Sequence, residues 1–374
     1  MQSAVLAPMR FSPAAHGFIM PAEYARHHGT WITWPHSEET WRGRTAQAEA
    51  AFVQFVNALH TDEIVYIQVL SEDRADNVRR QLQAAGVDLN AIRFQIAPTD
   101  CEWIRDYGAI FITHPETQEC VATDWVFNNW GHKYDEPDAY PHLEWQNDTP
   151  RIMAERHQAE RIVLDFVLEG GSLEVDGKGL LLTSESCLLN PNRNPKYTRA
   201  EMEQLLCDYL GAQKILWLGD GLLGDETDGH IDNLARFVDS RTILAARETN
   251  PQDENFAVLE ENWKRLSDMT DLAGQPFQLV ALPTPDPLFV DGLRQAATYA
   301  NFYIGNRTIV MPGYGSPKDE EARQIIAHCY PDRHVVVVQW GELIIGGGSW
   351  HCLTQQVPEG FGKAGGSLLQ RVEF

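Results

Sequence analysis

Apolar positions follow two alternating rhythms along the chain. Short runs rich in Val, Ile, Phe and Tyr, bounded by Gly, Pro, Asn or Asp, predict strands. They fall at Ile64–Leu70, Ile92–Ala97, Ala109–Thr113, Ile162–Val167, Leu180–Ser184, Lys214–Trp217, Leu234–Val238, Thr242–Ala246, Phe277–Leu282, Phe302–Ile304, Thr308–Met311 and Val335–Val338. Between them, helical spacing predicts helices at Arg44–Leu59, Asp73–Ala85, Arg199–Leu210, Asn255–Ala273 and Asp319–His328. Thr198 precedes Glu201 by three residues, a capping box that opens the helix at Arg199. Asp176-Gly177 and Gly305-Asn306 each sit between two strand-like runs and predict hairpin turns. The pattern is that of an α/β fold with mixed strand order. Strand pairs and helices recur at intervals of roughly 50–70 residues, the mark of a repeat. No linker or low-complexity stretch divides the chain. No apolar run reaches the roughly 18 residues of a membrane span. The most apolar stretch, 334–345, is broken by Gln339, Gly341 and Glu342.

Charge narrows the function. The chain has 374 residues, with 30 basic against 53 acidic side chains and a formal charge of −23. Phosphate binding needs clustered Lys and Arg, so nucleic acid is excluded as a partner. An anionic membrane surface is excluded for the same reason, whereas a small cation is electrostatically favoured. Six cysteines without a CxxC pair argue against a disulfide scaffold or a structural zinc site. Reduced thiols, and an N-terminus without a basic segment leading into a long apolar one, point to the cytoplasm.

Four segments place polar residues among Gly and aromatics where a plain core has no use for them: 102–108, 169–171, 225–233 and 346–352. Taken alone, Cys352 reads as a small buried hydrophobe. Three glycines before it, Gly346 to Gly348, change that reading, because they give up backbone order to permit a close approach. A reactive thiol needs a partner. His351 is adjacent and, in an extended segment, points away. His230 is the better candidate, and the spacing His230-x-Asp232 puts both side chains on one face of a strand. The surrounding acids do not meet the EF-hand spacing, nor is there a paired-His zinc pattern, so no metal and no cofactor are expected. Asp106, beside Trp103, is read as an ion pair or as a carboxylate over an aromatic wall. Glu169 is a turn acid or a second carboxylate for a planar, fork-shaped cation. The set Asp106, Glu169 and Asp232 suits a guanidinium better than a neutral amide.

These segments, in this order, make the chain resemble the agmatine deiminases. These lie within the guanidino-group-modifying superfamily, with arginine deiminase and the bacterial peptidylarginine deiminases. The resemblance is carried by 20–24, 30–35, 103–108, 169–171, 187–195, 226–233, 301–303 and 346–356, and so covers nearly the whole chain. It implies a single domain over 1–374, with 1–18 a peripheral segment. The implied architecture is a five-bladed, pseudo-symmetric α/β propeller of the pentein type, made of ββαβ units with the active site at its central axis. The implied reaction is hydrolysis of agmatine to N-carbamoylputrescine and ammonia through an amidino-thioether, in polyamine synthesis or arginine breakdown. Cys352 then corresponds to the nucleophile and His230 to the acid and base. Asp106 and Glu169 correspond to the carboxylates on the guanidinium, Asp232 to a further substrate-binding carboxylate, and Trp103 to a pocket wall. Glu23 and Trp34 are assigned to the amine end, and Trp350 is expected to narrow the pocket. Other guanidines, such as arginine or peptidyl arginine, amidino transfer, and a non-catalytic polyamine-binding protein are the alternatives. The partner is thus a small cationic guanidine; a homo-oligomer is admitted but not required.

Overall fold

In a computed structural model of the chain, residues 12–134 and 140–360 are described. Of the segment expected to be peripheral, 1–11 lie outside the described residues, while the Phe18 side chain is buried.

One arrangement is repeated five times. A strand pairs antiparallel with the next, which pairs parallel with a third after a helix. The sets are Ile110–Thr113, Cys120–Val126 and Glu160–Val167; Glu174–Val175, Leu180–Ser184 and Lys214–Leu218; Ala235–Phe237, Thr242–Arg247 and Gln278–Pro283; and Tyr303–Ile304, Thr308–Gly313 and His334–Gln339. The remaining sheet joins the two ends of the chain. Thr354–Pro358 runs antiparallel to His27–Thr33, which pairs parallel with Ile64–Val69, and Ile92–Ile96 adds an edge. Parallel neighbours require a crossover. Here it is a helix each time: Thr45–Leu59, Leu143–His157, Arg199–Leu210, Phe256–Asp268 and Asp319–Cys329 within the five sets, and Glu72–Ala84 before the added edge strand.

The helix at Arg199 begins with the expected reciprocal cap between Thr198 and Glu201 and ends on Gly211 at φ 73°. The helix Leu143–His157 is not among those the pattern predicts, because Pro150 sits inside it. Among the described residues no helix is long and apolar enough to cross a membrane.

The repeat has a functional corollary. The segment entering the first strand of each set carries one piece of the candidate chemistry. Asp106 precedes Ile110–Thr113, and Glu169 precedes Glu174–Val175. His230 and Asp232 precede Ala235–Phe237, Asn301 precedes Tyr303–Ile304, and Cys352 precedes Thr354–Pro358.

Candidate active site

Cys352 is buried at the floor of a cavity of about 280 Å³. Its Sγ receives the Asn301 Nδ2–H at 3.0 Å and lies 3.4 Å from Asp232 Oδ2. Burial pushes the thiol well above its ordinary range, and Asp232 and Asp106 push it further, against the Asn301 bond. Gly348, at φ 63°, could not carry a side chain, since a Cβ there would stand 2.5 Å from Sγ. A Cβ on Gly346 would stand 2.8 Å from the Trp103 ring. Gly346 and Gly348 are therefore explained by the approach of an indole and a thiol, and Gly347 by its φ of 88°.

His230 is completely buried, with Nε2 3.3 Å from Glu169 Oε2 and Nδ1 3.7 Å from Asp106 Oδ1. It does not sit on a strand with Asp232, as the spacing suggests; it caps the short 3₁₀ turn Ile231–Asn233. The two side chains still face a common point, because Gly171 leaves room there. A Cβ at Gly171 would stand 2.5 Å from His230 Nδ1, 2.8 Å from Asp106 Oδ1 and 3.1 Å from Asp232 Oδ2. Burial works against a charge on His230. Asp106, with Cys187 and Glu169, outweighs it and holds the imidazole pKa well above its usual value.

Each carboxylate is oriented by a different partner. Asp106 accepts from the Gly171 amide at 3.0 Å and from the Trp130 indole at 2.9 Å. Burial raises its pKa to about 6, His230 opposing and Asp232 and Glu169 adding. Trp130 keeps φ at 52°, a strained conformation for a bulky residue. Glu169 accepts from Arg193 Nε at 2.7 Å; burial would raise its pKa, but Arg193 and His230 bring it below the usual range. Two buried groups in this cluster lack a hydrogen-bond partner, His230 Nδ1 and Asp232 Oδ1. Buried polar atoms are normally paired, so these two are the atoms a ligand would satisfy.

Trp103 lines the cavity, with Trp130, Tyr134 and Tyr140 as further aromatic walls and Glu39 and Glu226 as acids at its exposed end. Glu23 and Trp34 are not brought to it. Glu23 is buried behind Cys352, where Arg236, Arg105 and the Ile304 amide take up its carboxylate. Trp34 is buried in the core against Phe52 and donates to Glu49 at 2.7 Å. Trp350 likewise stacks on Phe55 at 4.8 Å and leaves the pocket unnarrowed. Sequence reasoning missed Trp130, saw Asn301 only as part of a motif, and saw Arg193 as part of a motif and a candidate clamp for a substrate carboxylate, whereas it pairs with Glu169. The position of Asn301 in the repeat was the signal that could have found it.

Among the described residues Glu169, Cys187 and His230 bring three potential metal donors within 4.8 Å of one another. Arg193 on the same carboxylate is a fixed positive charge that opposes a dication there.

Residues 19–358 match the family model described as Porphyromonas-type peptidyl-arginine deiminase. The chain is 36% identical over 368 residues to the agmatine deiminase of Pseudomonas aeruginosa, covering 93% of this chain and 97% of that one. It is 37% identical to that of Pseudomonas fluorescens, with the same coverage. The solved agmatine deiminase of Enterococcus faecalis superposes with a TM-score of 0.85 at 31% identity, over 94% of this chain and 98% of that one.

Proposed function

The chain belongs to the Porphyromonas-type peptidyl-arginine deiminase family, among whose members it is similar to agmatine deiminases, and on that premise we propose how its site hydrolyses agmatine to N-carbamoylputrescine and ammonia. The observation that carries the reading is one geometry. A buried thiol and Asp106 line one cavity, and directly against them lie an imidazole flanked by Asp106 and Glu169 and two unpaired polar atoms, His230 Nδ1 and Asp232 Oδ1.

The guanidinium lies between Asp106 and Asp232, where its N–H groups meet carboxylate oxygens. Its charge next to Sγ offsets the burial and the acids that hold the thiol protonated, so the thiolate forms as the substrate binds and the thiol proton is lost to solvent. Sγ attacks the guanidinium carbon and the resulting tetrahedral adduct expels one nitrogen. His230, charged because its pKa is held high, protonates that nitrogen, which leaves as ammonia. The amidino-thioether that remains is attacked by water, from which the now neutral His230 takes a proton. The adduct's hydroxyl proton passes to the leaving sulfur as the C–S bond breaks, which restores the resting thiol and releases the ureido product. Glu169, neutralised by Arg193, orients His230.

Arg193 and Arg236 are buried and consumed by Glu169, Asp228, Glu174 and Glu23, so neither is a clamp for a substrate carboxylate. The cavity's exposed end carries Glu39 and Glu226 beside Arg42, whose guanidinium is paired with Asp291, and this acidic balance suits an amine. The five repeated sets read as blades about a common pseudo-five-fold axis, a pentein-type propeller in one domain with the entry segments converging at the axis. Six unpaired cysteines accord with a cytoplasmic setting.

The test is a substrate panel of agmatine, arginine, a blocked arginine peptide and a methylated arginine, assayed for ammonia and ureido product. Agmatine is expected to be turned over best. Inactivity on agmatine with turnover of another member would overturn the substrate and leave the chemistry.

A further inference from the structure

The reaction gives His351 no part, yet it is tied to the site from behind through Asp232. Its Nδ1 is 2.7 Å from Asp232 Oδ2 and its Nε2 is 2.5 Å from Glu23 Oε2. All three side chains are buried. Carboxylate oxygens only accept, so an imidazole bonded at both nitrogens to two ionised carboxylates carries both ring protons. Glu23 is kept ionised from the far side, by Arg236 at 3.0 Å and Arg105 at 3.4 Å. Arg105 also fixes the backbone here, its Nε donating to the His351 carbonyl at 3.1 Å and its amide to the Cys352 carbonyl at 3.1 Å. With Oδ2 of Asp232 engaged, Oδ1 is left buried and unpaired.

We propose that His351 is a positioning residue: as an imidazolium clamped between Glu23 and Asp232, it fixes Asp232 as an ionised carboxylate with Oδ1 presented to the substrate guanidinium. The inference rests on the deiminase reading above and adds to it a second histidine, distinct in role from His230. Burial alone would protonate Asp232; the hydrogen bond and the charge of His351 do most to bring its pKa below the usual range, with His230 and Arg236 assisting. The other charged groups around the clamp are Asp106 and Cys352 on the pocket side and Glu174, paired with Arg236, behind it. Without the imidazolium, burial meets less opposition and Asp232 takes up a proton more readily. A protonated Asp232 holds the cation poorly before and during the reaction alike, so the loss falls on KM.

The experiment compares wild type, His351→Gln and Glu23→Gln on agmatine across pH, with circular dichroism as a check of fold. In His351→Gln we expect KM to rise about tenfold, with kcat within about threefold. We also expect the acid limb of kcat/KM to move up by about one pH unit and to steepen, as Asp232 joins Asp106 in titrating. Glu23→Gln moves the limb the same way by a smaller step, and it decides the question if His351→Gln does not fold. A uniform loss at every pH, with KM and the acid limb unmoved, would overturn the inference and leave the deiminase reading intact. A wild type that makes no ureido product from agmatine overturns the substrate reading, and this inference with it.

Discussion

Replacing Gly171 by Ala tests whether the imidazole and two carboxylates converge on one point. The new methyl would stand 2.5 Å from His230 Nδ1, 2.8 Å from Asp106 Oδ1 and 3.1 Å from Asp232 Oδ2. Taking 3.4 Å as the near edge of ordinary contact, the relief needed is about 0.9 Å at His230 and about 0.6 Å at Asp106. None of these groups retreats freely. His230 is held by Glu169 at 3.3 Å, Asp106 by Trp130 at 2.9 Å, and Asp232 by His351 at 2.7 Å. A misplacement of about 1 Å costs about 10²-fold in rate, or about 2.7 kcal/mol of transition-state stabilisation. Overpacking adds about 1–3 kcal/mol to the folding side, which a protein of this size tolerates. The assay is steady-state formation of ureido product from agmatine, with a thermal melt of the same preparation. Folded enzyme with kcat/KM down about 10²-fold is expected. Gly86→Ala is the control, since φ there is 82° but nothing lies within 4 Å. It should lose about 1 kcal/mol of stability and keep its activity. Gly171→Ala working within about threefold of wild type would refute the convergence, because the methyl would then occupy space that the reaction does not use.

Cys352→Ala is expected to abolish ureido product while the protein stays folded. In the free enzyme, alkylation of Cys352 should reach half its limiting rate only above pH about 8.5, the usual thiol value, because its pKa is raised; half-maximal alkylation near neutral pH would contradict a protonated resting thiol. Asp106, with a pKa of about 6, is ionised above that pH and neutral below it, so kcat/KM should fall as pH drops through 6. A profile flat down to pH 4.5 would remove Asp106 from cation binding. Trp350→Ala removes a buried ring stacked on Phe55 and should cost about 3–5 kcal/mol in chemical denaturation; a cost under about 1 kcal/mol would mean that the ring packs elsewhere.

Much of this protein can be read from near neighbours in sequence. Arg199–Leu210 matches its expected bounds, because Thr198, Glu201 and Gly211 form its caps within a few residues of one another. The helix at 143–157 escapes such reading because Pro150 is a local signal against it that packing overrides. The strand His27–Thr33 escapes for another reason. All but one of its residues are buried, so it lacks the polar–apolar alternation that marks a half-exposed strand. The spacing of His230 and Asp232 suggests one face of a strand, but a tight turn, and not a strand, brings the two side chains to a common point.

The linear order of residues already offers candidates for chemistry: a thiol after three glycines, an imidazole among acids, and carboxylates suited to a guanidinium. Which buried charges are left free follows from the fold alone. Glu23, Asp232, Arg193 and Arg236 are all buried ionisable groups, and nothing local distinguishes them. Their partners are far away in the chain, His351 lying 328 residues from Glu23 and 119 from Asp232. A buried charge is defined by what it is paired with, and the Glu23–His351 pair exists only once the first and last strands have joined in one sheet.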